Sequence, residues 1–365
     1  MTDYPLLKDQ INAAWLTHLA ALLHQQHTNF PLDAFDELSQ RQAFIDAALK
    51  QRIKLVATTL WQTLQLPFAE AMVVCMAISP AVKGLPALVL PQLVEDHGQQ
   101  DITNAMQALA VFTRDSTAEF AIRPFLLRNP TATLAQLQRW AQDDDEHLRR
   151  LASEGSRPRL PWGQALPLFK REPWHTWPIL VALLQDPSLY VRRSVANHLN
   201  DISKDNPDWL LQQVKDLYGV HVHTDWIIKH ALRDLLKKRH PQALALFDFT
   251  PVQVQAQIEI QTPVVHYGEL LQFRTRLTLP TPVAKLRLEY AIDFVGANGK
   301  LRHKVFQWLR RDQVQGELLL DKSYRFVDLT TRRHYAGSHQ VHVVVNGQIV
   351  ATQHFDLIKD NAECG

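Results

Sequence analysis

A chain of 365 residues, 46% hydrophobic and 21% charged, has the balance of a folded globular protein and room for two domains of roughly 150 residues each. The formal net charge of +2 supplies no overall attraction to polyanions, so a nucleic-acid partner must be recognised through local clusters. The two cysteines, Cys75 and Cys364, lie far apart, which excludes a disulfide framework or a cysteine-ligated zinc site and fits a reducing cytosol.

The first ten residues carry no basic-then-apolar signal pattern. The apolar run from Val73 to Leu90 is broken by Pro80, Lys83, Gly84 and Pro86, so no membrane association is expected and a cytoplasmic location is. Helical spacing then recurs along the first half: Ile11, Trp15, Leu16, Leu19 and Leu22; Phe44, Ile45, Ala48 and Leu49; Ala105, Leu109 and Phe112. Asn29-Phe30-Pro31 and Pro67 punctuate these helices, since proline lacks the amide that a helix interior needs.

A repeat emerges further on. DDDEHLRRLASEG aligns with DPSLYVRRSVANHLND, setting Arg149-Arg150 over Arg192-Arg193, and a fainter copy follows in DWIIKHALRDLLKKRHP. The offsets, about 43 and then about 36 residues, approach the ~40–47 of paired-helix HEAT repeats. In such an array the arginines are expected to project from the binding face. Near Phe249 the apolar period changes from 3.6 to 2, and seven short alternating segments follow, with turns such as Asn346-Gly347 between them. The predicted fold is therefore multidomain: an all-α HEAT-like helical-repeat solenoid over residues 1–248, then an all-β immunoglobulin-like sandwich over 249–365 without the inter-sheet cysteine pair.

Chemistry concentrates in Asp143 to Trp162, DDDEHLRRLASEGSRPRLPW: a helix, a glycine stop, then a stiff basic loop ending on an aromatic. Glu119 follows Asp115 and precedes Arg123 by one helical turn each, so the three are predicted to share a helix face; Glu154 and Asp201 close later helices. As single residues these acids read as solvated helix charges; as a set they can converge on one surface. Trp162, after Pro161 in a loop, has a better claim to a ligand than Trp177, Trp209 and Trp226, which read as packing residues.

Basic side chains that can grip phosphate are Arg149, Arg157, Arg159, Arg192, Arg193, Lys204 and Lys229 on the helical half, and Arg332 and Arg333 in a loop of the sandwich. Opposite charge separates along the chain, the acids weighing more in the first hundred residues, which favours nucleic acid. There is no GxGxxG, P-loop or GxSxG. His221 and His223 form one HxH without a third ligand at a clear spacing, so no metal and no cofactor are expected.

The segments Ser153–Trp162 and Ser194–Asp201 resemble the AlkC-type DNA alkylation repair glycosylases of the HEAT-like superfamily, over most of residues 1–248, and the trailing sandwich resembles the immunoglobulin-like domain of one subgroup. The resemblance implies hydrolysis of the N-glycosidic bond of cationic N3-methylated bases, N3-methyladenine first and N3-methylcytosine second, in bent duplex DNA without base flipping. It implies catalytic roles for Glu119, Glu154, Trp162 and Asp201, with double-stranded alkylated DNA as the partner of a monomer. Two other readings stand beside it: a non-catalytic scaffold for an acidic protein, and a DNA-binding relative without catalysis.

Overall fold

The computed structural model describes residues 6–330 and 332–359, so Cys364 lies outside the described residues. The chain forms two compact units, Met1–Ala231 and Leu232–Gly365. The short helices Arg233–Lys237 and Pro241–Leu246 thus go with the strand-rich unit.

In the first unit each helix buries one stripe. Leu49–Leu64 hides Ile53, Val56, Leu60 and Leu64, then stops at Gln65 in a left-handed conformation. Ile102–Asp115 is capped by Asp101, whose side chain accepts from the Asn104 amide, and it buries Ala105, Leu109 and Phe112 as its spacing predicts. The expected continuity of Phe44 to Leu49 fails: Gln42–Asp46 is a separate helix and Ile45 faces solvent. Among the described residues no single helix is long and apolar enough to cross a membrane.

The repeat positions the site. Asp145 caps the helix Glu146–Gly155 by accepting from the His147 amide, and Leu148, Leu151 and Ala152 are buried. Its last residue must be glycine, because a Cβ on Gly155 would stand 2.6 Å from Ile122. The helix Leu189–Asp205 packs against it on one side and against Val222–Ala231 on the other, in the order of the three sequence copies.

One expectation is corrected here. Asp115, Glu119 and Arg123 share no helix face, because Ile102–Asp115 ends and the next helix begins only at Arg123. Ser116 is non-helical (φ −148, ψ −123), and its hydroxyl donates to the Gly84 carbonyl instead. Asp115 then accepts from Ser79, while the other two acquire separate partners described below.

The second unit has six strands among the described residues: β1 Gln255–Ile260, β2 Val264–His266, β3 Leu270–Val295, β4 Leu301–Arg325, β5 Gly337–Val345 and β6 Gln348–Ile358. β3 pairs antiparallel with β1 along its first half and with β5 along its second, changing partner across an irregularity between Leu279 and Val283; β4 follows it throughout. β6 pairs with β5 and, in parallel, with β2. Four of the seven predicted segments are therefore two long strands that bend between layers. Leu271, Phe273 and Leu277 of the first half of β3 share one core with Leu288, Ile292, Val341, Val343 and Phe355, giving an immunoglobulin-like sandwich.

Candidate active site

A cleft of about 590 Å³ opens in the helical unit. Its lining includes Lys50, Lys54 and Glu95 together with Glu119, Glu154 and Trp162. Trp162 is 73% exposed and sits at φ +63, a conformation costly for a side chain of that size, which holds the indole out of the packed loop. The Lys50 ammonium secures that loop by donating to the Trp162 carbonyl oxygen, and it also lies over the Phe120 ring at 4.4 Å.

Behind this surface lies an ion network. Glu154, 7% exposed, accepts from Arg157 Nη1 at 2.7 Å and from Ser194 Oγ at 2.6 Å. Arg157 Nε donates to Asp201 at 2.9 Å, so one guanidinium bridges acids from two successive repeats. Burial opposes its charge, but Glu154 and Asp201 more than offset this and hold the guanidinium above its ordinary pKa. Glu119 takes the Thr117 hydroxyl at 2.8 Å and pairs with Arg150, which also lies 3.8 Å from Glu154.

Arg123 is fully buried. It donates to the carbonyls of Gly155 and Gln164, tying the end of the helix Glu146–Gly155 to the loop after Trp162. Burial first, and Arg157 second, push its pKa down to about 10. His198, buried and kept neutral by that burial, donates from Nδ1 to the Ser153 carbonyl and accepts at Nε2 from the Thr176 hydroxyl, fixing the same helix from the other side.

The predicted acids thus come together, in two ranks. Glu119, Glu154 and Trp162 line the cleft; Asp201, 2% exposed, is absent from its lining and reaches it through Arg157. The basic residues divide. Arg149 Nη1 donates to the carbonyls of Asp143 and Asp144, and Arg192 Nη1, its repeat equivalent, to those of Asp186 and Pro187. Both fold back on the turn before their own helix, so the projection expected of them is corrected: the last carbonyls of the preceding segment need donors, and arginine supplies them. Arg157 is likewise spent on carboxylates. Arg159 forms a two-pronged pair with Asp205, and Lys204 lies 3.4 Å from Asp201. Arg193 and Lys229 are exposed, Lys229 over the Tyr218 ring.

In the strand-rich unit Arg332 donates to the Tyr324 hydroxyl and lies over Phe294 and Phe306, while Arg333 is exposed. Trp177 packs edge-on against Trp209 of another helix, the packing role expected of both, whereas Trp226 is exposed and stacks on His230 of its own helix. Sequence reading missed Lys50 altogether; Arg150 stood out only as the second arginine of the repeated pair and a cation able to grip phosphate, Arg123 only as the end of an expected helix face, and Ser194 only as the first residue of a motif.

Glu95, also in the lining of the cleft, was missed as well. Burial, then Asp96, raise its pKa to about 7 against the pull of Lys50 and Lys54. A carboxyl that binds its proton more tightly when folded contributes stability below about pH 4.5 that is lost as the pH rises to about 7. Glu95→Gln is therefore expected to melt above the wild type at pH 8, with the gap shrinking toward pH 4.5. Calorimetry across that range checks it; a gap independent of pH would contradict the assignment.

A helical-repeat unit with an acid and aromatic cleft, joined to a β-sandwich, defines the class. Residues 37–235 match the family described as DNA alkylation repair enzyme, and residues 254–359 match the C-terminal Ig-like domain of an uncharacterised protein, YhaZ. The YhaZ protein of Bacillus subtilis (strain 168), itself uncharacterised, is 40% identical over 358 residues, spanning 96% of this chain and 99% of its own length. A solved structure of the Pseudomonas fluorescens alkylpurine DNA glycosylase AlkC, bound to DNA containing an abasic-site analogue, superposes with a TM-score of 0.86 at 37% identity, covering 97% of this chain and all of that one. The chain belongs to the DNA alkylation repair enzyme family, in the AlkC-type branch that ends in an immunoglobulin-like domain.

Proposed function

We propose that this protein is a monofunctional DNA glycosylase that hydrolyses the N-glycosidic bond of cationic N3-methylated bases, N3-methyladenine first and N3-methylcytosine second, in bent duplex DNA without flipping the base. The observation that carries the reading is a single carboxylate, Glu154, held by Arg157 and Ser194 behind a cleft that an exposed, strained Trp162 overlooks. The AlkC relative, an alkylpurine DNA glycosylase bound to DNA containing an abasic-site analogue, supports excision of an alkylated purine, and the extension to N3-methylcytosine is ours.

The chemistry suits these residues. A methylated base that already carries positive charge leaves without a general acid. The remaining need is to stabilise an oxocarbenium-like sugar and to position water, which fixed carboxylates do by charge and hydrogen bonding. The Thr117 hydroxyl and Arg150 both reach Oε2 of Glu119. We assign the attacking water to its Oε1, and the field at the sugar to Glu154. Asp201 is a positioning residue, acting through Arg157. The Trp162 face adds cation–π attraction for the sugar or base cation, worth ~0.5–2 kcal/mol.

Methylated duplex DNA incubated with the protein should yield free methylated base and alkali-labile abasic sites, with no strand cleavage before alkali. Strand breaks without alkali would remove the monofunctional assignment, and absence of base release would favour the DNA-binding relative without catalysis. We further propose that the protein acts as a cytosolic monomer and grips phosphate through exposed cations. Arg333→Glu is expected to weaken duplex binding several-fold at low salt and leave the rate at saturating protein unchanged. An unaltered dissociation constant would take Arg333 out of the DNA interface.

A further inference from the structure

Outside the cleft, the strand-rich unit brings together one cluster that neither the repeat nor the proposed chemistry uses. Asp293 of β3 faces His303 across the β3–β4 ladder, and His342 of β5 pairs with Ala291, one alternation along β3, so all three side chains stand on the same sheet face. His303 Nδ1 lies 2.5 Å from Asp293 Oδ1, and His342 Nε2 lies 3.1 Å from Asp293 Oδ2. Their ligating atoms all fall within 4.8 Å of one another. His342 is buried, Asp293 largely so, and the His303 side chain is 35% exposed. Burial opposes ionisation of Asp293, yet the hydrogen bonds from the two imidazoles keep its carboxyl below the ordinary value.

We propose that Asp293, His303 and His342 form a binding site for a divalent transition ion, with zinc the best-matched occupant. Two imidazole nitrogens and one carboxylate suit zinc, with water in the remaining position on the exposed side of His303. A tetrahedral ion with ligands ~2.0–2.1 Å away needs donor atoms about 3.3 Å apart, a closure within reach of side-chain rotation on fixed strands. His342 is ready for it: its other nitrogen, Nδ1, lies 2.8 Å from the Thr352 hydroxyl of β6, which can turn to accept the proton that ligation through Nε2 places there.

His303 differs in an informative way. Its Nε2 lies 3.2 Å from Arg239 Nη2, a group that can only donate. Ligation through Nδ1 moves the imidazole proton to Nε2 and sets two donors against each other, so Arg239 must turn away before the ion is held. Arg239 therefore competes with the ion, and the bound ion would tie β4, β3 and β5 together beneath it. This site is independent of the proposed excision chemistry.

The test is titration of tag-free full-length protein with cobalt(II), read by its visible absorption, then displacement with zinc. Wild type should take up a single equivalent with the spectrum of low-coordinate nitrogen–oxygen ligation. Asp293→Asn should lose it, Thr352→Val should bind roughly 10–100-fold more weakly, and Arg239→Ala should bind more tightly than wild type. Should Asp293→Asn fail to fold by circular dichroism, His303→Gln at its partly exposed position replaces it. No uptake by wild type and Arg239→Ala alike would overturn the site. So would uptake that survives Asp293→Asn and vanishes in a His221→Ala/His223→Ala variant, since the ion would then sit on that surface pair.

Discussion

Glu154→Gln is expected to slow base excision by ~10²–10³ at saturating protein, the usual cost of removing one preorganised charge from a transition state, while leaving the affinity for undamaged duplex nearly intact. The exchange leaves one acceptor oxygen for Arg157, the new amide can donate to the Ser194 hydroxyl once that hydroxyl turns, and Arg157 retains Asp201, so the fold is not at stake. What disappears is a negative charge held in a fixed place beside the cleft. Single-turnover rates separate this from a binding defect, because a loss confined to affinity would vanish at high protein concentration. Equal rates in mutant and wild type would remove Glu154 from the chemistry and leave Glu119 as the acid to test.

Arg157→Met is expected to produce the largest loss of stability of any single change at the site. The guanidinium holds Glu154 and Asp201, which are 7% and 2% exposed, and its removal leaves two buried carboxylates facing each other's field. Breaking a buried ion pair from one side costs ~3–5 kcal/mol, enough to lower the melting temperature of a unit this size by roughly 10 °C. The proper control is compensation: Arg157→Met combined with Glu154→Gln and Asp201→Asn should recover much of the loss, because the stranded charges are gone. A single mutant that melts with the wild type would show that Arg157 is not what compensates the burial of these acids.

How far the site was legible depended on whether a residue's role is local. Glu154 and Trp162 stand at a helix end and in the adjoining proline-bounded loop, so their placement follows from the punctuation around them, and the structure puts both on one cleft. The doubled VRR-like segment reported the packing of successive repeat helices, and the change of period near Phe249 reported the sandwich. The direction of a side chain is a different matter. Arg149 and Arg192 turn back onto carbonyls of the preceding turn, which depends on tertiary approach and not on their position in the repeated segment.

Glu119 failed as a helix-face residue because Ser116 found a better partner at Gly84, 32 positions away. The strands β3 and β4 read as four because their polar–apolar alternation is interrupted where they bend between layers. Asp293, His303 and His342 were invisible for a related reason: they sit on three strands, and only register brings them together. Spacing along the chain carries no trace of that register.

Single-turnover release of N3-methyladenine from methylated duplex DNA, wild type against Glu154→Gln and a protein-free control, decides whether the Glu154–Trp162 cleft breaks a glycosidic bond. Release by wild type well above the spontaneous rate, with the variant slowed ~10²–10³, is the predicted result. Release by neither protein, with duplex binding intact, would contradict the account and leave a DNA-binding member of the family that performs no excision.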